Sequence, residues 1–297
     1  MTYLTAFSSH LEAQDRSNNT IEAYTRDIAL YATWFEEQNH QAFQPSFLCA
    51  PDLREYRRYL FEEQQLDGDS WNRKRASFKA FAVFCAQQGW IHGDPLIGVN
   101  RVPPKEQPPK ALTHNEWLAV RRLLDHHVNS PRTERKRNDA IRDRAMLSLG
   151  YYCLLRSSEV VKLDVSDLLL KEKSGEIRIR QAKGRKDATV KTGLEVRTAL
   201  NAWLSVHPGT ISLFPSERSD RISQRRVEEI ANQIGVEACI PDLWFHRFRH
   251  TAISHGLNEM EIPLPIMQGL ARHKDGRTTM RYAKATDQQL ADAAERL

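Results

Sequence analysis

Residues 102–110 read VPPKEQPPK, four prolines in nine positions, and no other stretch constrains the fold as strongly. Each proline fixes its own φ, withholds a backbone donor and disfavours the helical region for the residue before it. Neither a regular helix nor a central strand can run through such a segment, so the chain must fold as separate units on either side. Its 297 residues suit that division, being long for one compact core and ordinary for two. The expected units are residues 1–101 and 111–285, joined by the 102–110 linker and followed by a C-terminal helix at 286–297.

In the first hundred residues Ile21, Tyr24, Ile28, Tyr31 and Phe35 recur at helical spacing, as do Leu53, Tyr56 and Leu60, which predicts a small helical bundle. Residues 1–100 hold 9 Lys and Arg against 13 Asp and Glu, whereas residues 101–297 hold 34 against 25. The net charge of +5 therefore comes from the second unit, which carries the attraction to a polyanion. The first unit still clusters Arg54, Arg57 and Arg58, and again Arg73, Lys74, Arg75 and Lys79. The first group falls opposite the Leu53, Tyr56, Leu60 stripe and is expected to face solvent or phosphates; an ordinary solvated face fits the same pattern.

Thr113 and Glu116 form a T-x-x-E capping box ahead of the apolar run 117–124, so a new folded unit begins there. The charged residues 132–137 predict a surface loop, and helix returns over 141–155. Strands are predicted at 163–170, 176–180 and 188–191, with Lys183 and Gly184 in the last turn. Helices follow around 195–206, 223–234, 249–257 and 264–270. The fold class is therefore mainly α with one small antiparallel β-sheet. An apolar content of 40% supplies real cores, no apolar run is long enough to cross a bilayer, and residues 1–10 lack the segments of an export signal. Cys49, Cys85, Cys153 and Cys239 have no metal-finger or paired spacing, as in reduced cytoplasmic proteins.

Six residues carry chemistry: Arg156, Lys183, His246, Arg249, His273 and Tyr282. Arginine is a permanently charged fork whose donors match phosphate oxygens. A phenol with a pKa of about 10 needs a base or a strongly positive pocket before it can attack phosphorus. A leaving alkoxide needs a proton, for which lysine or histidine is the natural donor. This set needs no metal or cofactor. His246 and His250 stand four apart, as zinc ligands do on a helix, but Arg247 and Arg249 would repel a cation and no glutamate lies between them.

Four pieces, Leu155-Arg156-Ser157-Ser158-Glu159, Lys183-Gly184-Arg185-Lys186, His246-Arg247-Phe248-Arg249-His250-Thr251 and His273 followed by Tyr282, resemble in order and spacing the tyrosine recombinases, the phage-integrase family. Ser17-Asn18-Asn19-Thr20 before Tyr24 and Asp27 is similar to that family's SAM-like core-binding domain. The overall length is similar to the Xer recombinases and to compact resolvases of mobile elements.

The resemblance implies Arg156 and Arg249 as the phosphate-binding pair and Tyr282 as nucleophile, with His246 managing the tyrosine's proton and His273 a further hydrogen bond. It also implies that Lys183 protonates the leaving 5′ oxygen and that Glu159 holds Arg156 in place. Arg54, Arg57, Arg58, Arg73, Lys74, Arg75, Lys79, Arg185 and Lys186 become the candidate DNA contacts. Two domains would close as a C-shaped clamp on duplex DNA with paired inverted sites. Four subunits, monomeric or weakly associated off DNA, would exchange strands through a Holliday junction, with accessory DNA-binding proteins allowed. The tail, with a second capping box at Thr286 and Gln289 and with Leu290, Ala293, Ala294 and Leu297 on one side, would pack on a neighbouring protomer or on its own domain.

Two departures stand out. Leu154 replaces the glycine that commonly precedes the family's Leu-Arg, and Ala271-Arg272-His273 replaces Leu-Gly-His. These favour integration or resolution of a mobile element over Xer-type dimer resolution. Relaxation of the type IB topoisomerase kind, and a non-catalytic architectural role on DNA, stay open.

Overall fold

The computed structural model describes residues 2–103, 110–131, 133–182, 186–216 and 219–283, the side chains of 181, 182 and 186 excepted. The tail at 286–297, the body of the linker, Lys183 and Arg185 lie outside the described residues. The chain divides into two compact units, Met1–Gln107 and Pro108–Leu297.

The first unit consists of α1 (Tyr3–Ala13), α2 (Asn18–Asn39), α3 (Ala50–Glu62) and α4 (Gly68–Gln87). Ser17 opens α2 by accepting from the Thr20 N–H, and Asp67 opens α4 by accepting from Asp69 and Ser70, so a side chain satisfies the first free donors of each helix. The apolar stripe of α2 turns inward and is built around Tyr31, whose ring meets Phe43, Tyr56 and Phe78 edge-on at 5.2–5.3 Å. Aromatic pairs of this geometry gain about 0.5–1.5 kcal/mol beyond the area they bury.

The basic clusters depart from expectation. Asp27, 1% exposed on α2, accepts two bonds from Arg73 at 2.6 and 3.0 Å, one from Lys74 at 2.9 Å and one from Ser77 at 2.7 Å. Lys74 is thus a buried partner rather than a surface contact, because a carboxylate taken out of water must be paired. Arg57 folds back over Phe61 and Trp71, and Arg75 donates to the Val99 carbonyl. Arg54 donates to the Ile97 carbonyl and Arg58 pairs with Glu55, both near the surface; Lys79 is exposed.

The second unit begins with α5 (His114–Asn129), whose Thr113 and Glu116 make both bonds of the capping box. Next comes α6 (Glu134–Tyr152). The charged segment expected to loop is instead the first turn of α6: Thr133 caps it by accepting from Lys136, and the Arg and Lys that follow are good helix formers. The helix stops earlier than predicted, because Leu154 lies at φ +55° in the left-handed region. After α7 (Ser157–Val160) the predicted strand 163–170 is interrupted by a 3-10 turn, Val165–Asp167, tightened by Asp164 N–H donating to the Asp167 carboxylate at 2.8 Å. Its last residues form β1 (Leu168–Leu170), pairing with β2 (Gly175–Ala182), which pairs in turn with β3 (Lys186–Lys191), all antiparallel.

Among the described residues five helices follow: α8 (Leu194–Leu204), α9 (Gln224–Glu237), α10 (Phe245–Asn258), α11 (Leu264–Ala271) and the unpredicted α12 (Gly276–Met280). The centre of this unit is α6, buried on all sides from Ala145 to Tyr151. It meets α10 closely at Gly150, where a Cβ would come within 2.8 Å of the Phe245 ring. That approach fixes the end of α6, which leads to Arg156, against the helix that carries His246 and Arg249. Among the described residues no helix is long and apolar enough to cross a membrane.

Candidate active site

Helix α10 uses three faces for three tasks. Phe245 and Phe248 enter the core. Arg247, Thr251 and His255, at four-residue intervals, grip the incoming chain: Arg247 donates to the Lys110 carbonyl at 3.0 Å, Thr251 accepts from the Leu112 N–H at 2.9 Å, and His255 Nε2 donates to the Leu112 carbonyl at 2.9 Å. His246, Arg249 and His250 share the remaining face and line a cleft of about 290 Å³.

Arg249 is 1% exposed and donates to the backbone carbonyls of Leu154 and Ala271. The left-handed turn at Leu154 is what allows the end of α6 to offer its carbonyl there. Burial, and after it the positive charge of Arg156 and Arg272, lowers the Arg249 pKa to about 9, which leaves the group cationic at neutral pH. Arg156 begins α7 and pairs with Glu159, its own N–H donating to Oε2 at 2.9 Å and its Nη1 to Oε1 at 3.1 Å. Arg272, at φ +54° after α11, turns inward and donates to the same carboxylate at 2.7 Å. The cation beside the predicted site therefore sits in the cleft wall, half turned in toward Glu159.

His273 is oriented through Nδ1 and the Thr279 hydroxyl, 2.8 Å apart. Tyr282 is 7% exposed and packs with Leu154, Ile253, Met267 and Ala271. Its carbonyl accepts from Asn258 at 2.9 Å, and its hydroxyl is hydrogen-bonded to His250 Nδ1, the two rings stacked at 5.5 Å. His246 lies behind, edge-on to His250 with centroids 4.7 Å apart. The residue on the phenol is thus His250, where the resemblance implied His246. Its i+4 position after His246 is visible in the sequence, but there it suggests only the spacing of a metal ligand.

Burial first, then the surrounding cations, lowers His246, His250 and His273 each to about 4, so all three rings are uncharged at neutral pH. Burial raises the Tyr282 phenol, while Arg249 and Arg281 pull it back. Among the described residues the cleft lining carries Arg156, Arg249, Arg272, Lys274 and Arg281 against the single carboxylate of Asp275. Among the described residues no three His, Cys, Asp or Glu side chains are grouped to hold a metal ion. Of the six sequence-predicted residues, five come together in this cleft. Lys183 lies outside the described residues, as does Arg185, and Lys186 is described only as backbone in β3.

An anion is what such a cleft can hold, and a phenol against an uncharged imidazole is what can attack one; those two properties define phosphoryl-transfer enzymes that act through tyrosine. Residues 113–289 match the phage integrase family and residues 4–89 the phage integrase N-terminal SAM-like domain. The chain is 31% identical over 296 residues to tyrosine recombinase XerC of Azotobacter vinelandii, covering 97% of this chain and 93% of that one. It is 28% identical over 287 residues to tyrosine recombinase XerD of Ralstonia nicotianae, covering 92% and 86%. Among solved structures, XerH bound to its difH substrate before cleavage has a TM-score of 0.72 at 18% identity, covering 97% and 84%. The Tn1549 transposon integrase with a circular intermediate DNA has a TM-score of 0.71 at 15%, covering 100% and 99%.

The chain belongs to the phage integrase family: it is a tyrosine recombinase, an enzyme that cleaves and rejoins DNA through a covalent tyrosine intermediate.

Proposed function

We propose that Arg156 and Arg249 bind the nonbridging oxygens of the scissile phosphate while Tyr282 attacks phosphorus. The phenolic proton passes to His250, with His246 behind it, and His273 adds a hydrogen bond to the phosphate. As the new P–O bond forms, the P–O5′ bond breaks and Lys183 protonates the departing oxygen, leaving a 3′-phosphotyrosine. Attack by a 5′ hydroxyl of another strand reverses the same steps, which is how strands are exchanged without ATP. The observation that carries this reading is the convergence of Arg156, His246, Arg249, His273 and Tyr282 on one cationic cleft.

In this reading residues 1–101 form the core-binding domain and residues 111–285 the catalytic domain. Four protomers act on two sites of paired inverted repeats, each tail at 286–297 packing on a neighbour, and strands pass through a Holliday junction. The biological role we assign is integration or resolution of a mobile element, supported by the departures at Leu154 and Arg272. Xer-type dimer resolution is the second reading, favoured by the near full-length match to XerC.

The test is a duplex nicked beside the cleavage point, made from the DNA flanking the gene, where inverted repeats of about eleven base pairs around a short spacer are expected. Wild-type protein should attach covalently, and Tyr282→Phe should bind without attaching. Attachment by the variant, or none by wild type on that duplex, defeats the chemistry. Sites at the ends of an inserted segment support the mobile-element role; one chromosomal site remote from the gene supports dimer resolution. Truncation before residue 286 should weaken pairing of two sites and spare binding to one.

A further inference from the structure

Glu159 is shared by two arginines, and the second is the one that replaces an expected glycine. Arg156 spends only Nη1 of its side chain on Oε1, at 3.1 Å, because Oε2 is taken by its own backbone N–H and by Arg272 Nη2 at 2.7 Å. The same Nη2 lies 3.4 Å from the Leu154 carbonyl, which also accepts from Arg249. Arg272 therefore contacts the acceptor that holds Arg156 and the acceptor that holds Arg249.

Stability alone does not account for this residue. Its φ of +54° is strained for any side chain with a Cβ, and burial lowers its affinity for its proton. Its Nε and Nη1 are buried with no partner among the described residues. Strain and unpaired donors concentrated at one position beside a reacting centre mark a functional constraint.

We infer that Arg272 is a positioning residue for the phosphate-binding arginines. A carboxylate facing a lone arginine tends to draw it into a two-pronged pair, which spends donors that a phosphate needs. By occupying Oε2, Arg272 confines Arg156 to a single side-chain bond and keeps the rest of its fork available for substrate. It also leaves Glu159 outnumbered, so the cleft keeps its positive potential. The inference rests on Arg156 being a phosphate ligand, as proposed above.

The test uses Arg272→Gly, which relieves the backbone, and Arg272→Asn, which tolerates the left-handed region and cannot reach Glu159. Both should melt within a few degrees of wild type or above it and bind the nicked duplex with wild-type affinity. Their attachment rate at saturating DNA should fall about 10–100-fold. The loss should shrink on a duplex whose scissile phosphate bears a methyl in place of one nonbridging oxygen, since less charge then needs the arginines. Arg272→Gly combined with Glu159→Gln should lose no more than the worse single variant, because both act through one contact. A wild-type rate in both Arg272 variants, or losses that multiply in the double variant, overturns the inference. Arg156→Ala separates the two levels: if it attaches normally the phosphate-binding reading itself fails, and if it is inactive while the Arg272 variants are normal only this inference fails.

Discussion

Asp27 in the first unit and Glu159 in the second are both buried carboxylates held by two cations, yet they leave opposite remainders. At Asp27 each oxygen accepts two bonds, from Arg73 and Lys74 on one side and from Arg73 and Ser77 on the other. Burial works against its charge, but those donors hold its pKa below the usual carboxylate range. At Glu159 the donors exceed the acceptors: Arg156 commits one side-chain nitrogen, Arg272 keeps two nitrogens unpaired among the described residues, and Arg249 lies buried close by. Saturated pairing builds a scaffold, whereas unspent donors in a buried setting build a place for an anion.

The contrast can be broken most sharply at its acidic end. Asp27→Ala should destabilise the first unit by about 3–5 kcal/mol, since the buried Lys74 and the more exposed Arg73 both lose their partner, and a denaturant titration would show it. Attachment to nicked DNA by the folded fraction should stay within about two-fold of wild type; a large catalytic loss would erase the distinction. Arg249→Ala comes next, with attachment slowed about 10²–10³-fold in single-turnover assays. A loss much below ten-fold would mean that its positive charge is structural, as at Asp27.

Acid provides a subtler probe. His246, His250 and His273 are lowered from about 6.5 to about 4, so below about 6.5 the unfolded chain takes up protons that the native cleft refuses. Stability should decline as pH falls from about 6.5 to about 4 and level off beneath that. Denaturation midpoints at several pH values should flatten in a variant carrying His246→Gln and His250→Gln; an unchanged slope would place the effect elsewhere. The smallest effect belongs to Lys79→Ala, which should leave stability within about 0.5 kcal/mol and reduce the salt dependence of DNA binding by about one unit of slope. No change in that slope would remove Lys79 from the candidate DNA contacts.

Legibility in the sequence followed the range of the forces involved. The Thr113 and Glu116 box and the apolar stripe of α2 act over a few residues and could be read directly. Lys74 could not, because the partner that buries it lies 47 residues away and leaves no periodic trace. The start of α6 was misjudged because its high charge suggested a loop, while Thr133 and helix-favouring side chains decide it locally. In the cleft the residue types were legible but their neighbours were not: the bond from His250 to Tyr282 joins residues 32 apart, and the shared use of Glu159 involves Arg272, whose backbone adopts an angle usually left to glycine.

The grip of Arg247, Thr251 and His255 on residues 110–112 has a mechanical meaning. The strand of chain arriving from the prolines is riveted to the back of the same rod that presents His246, Arg249 and His250 at the front. The anchor of residues 110–112 and the cleft residues His246, Arg249 and His250 are thus carried by one helix.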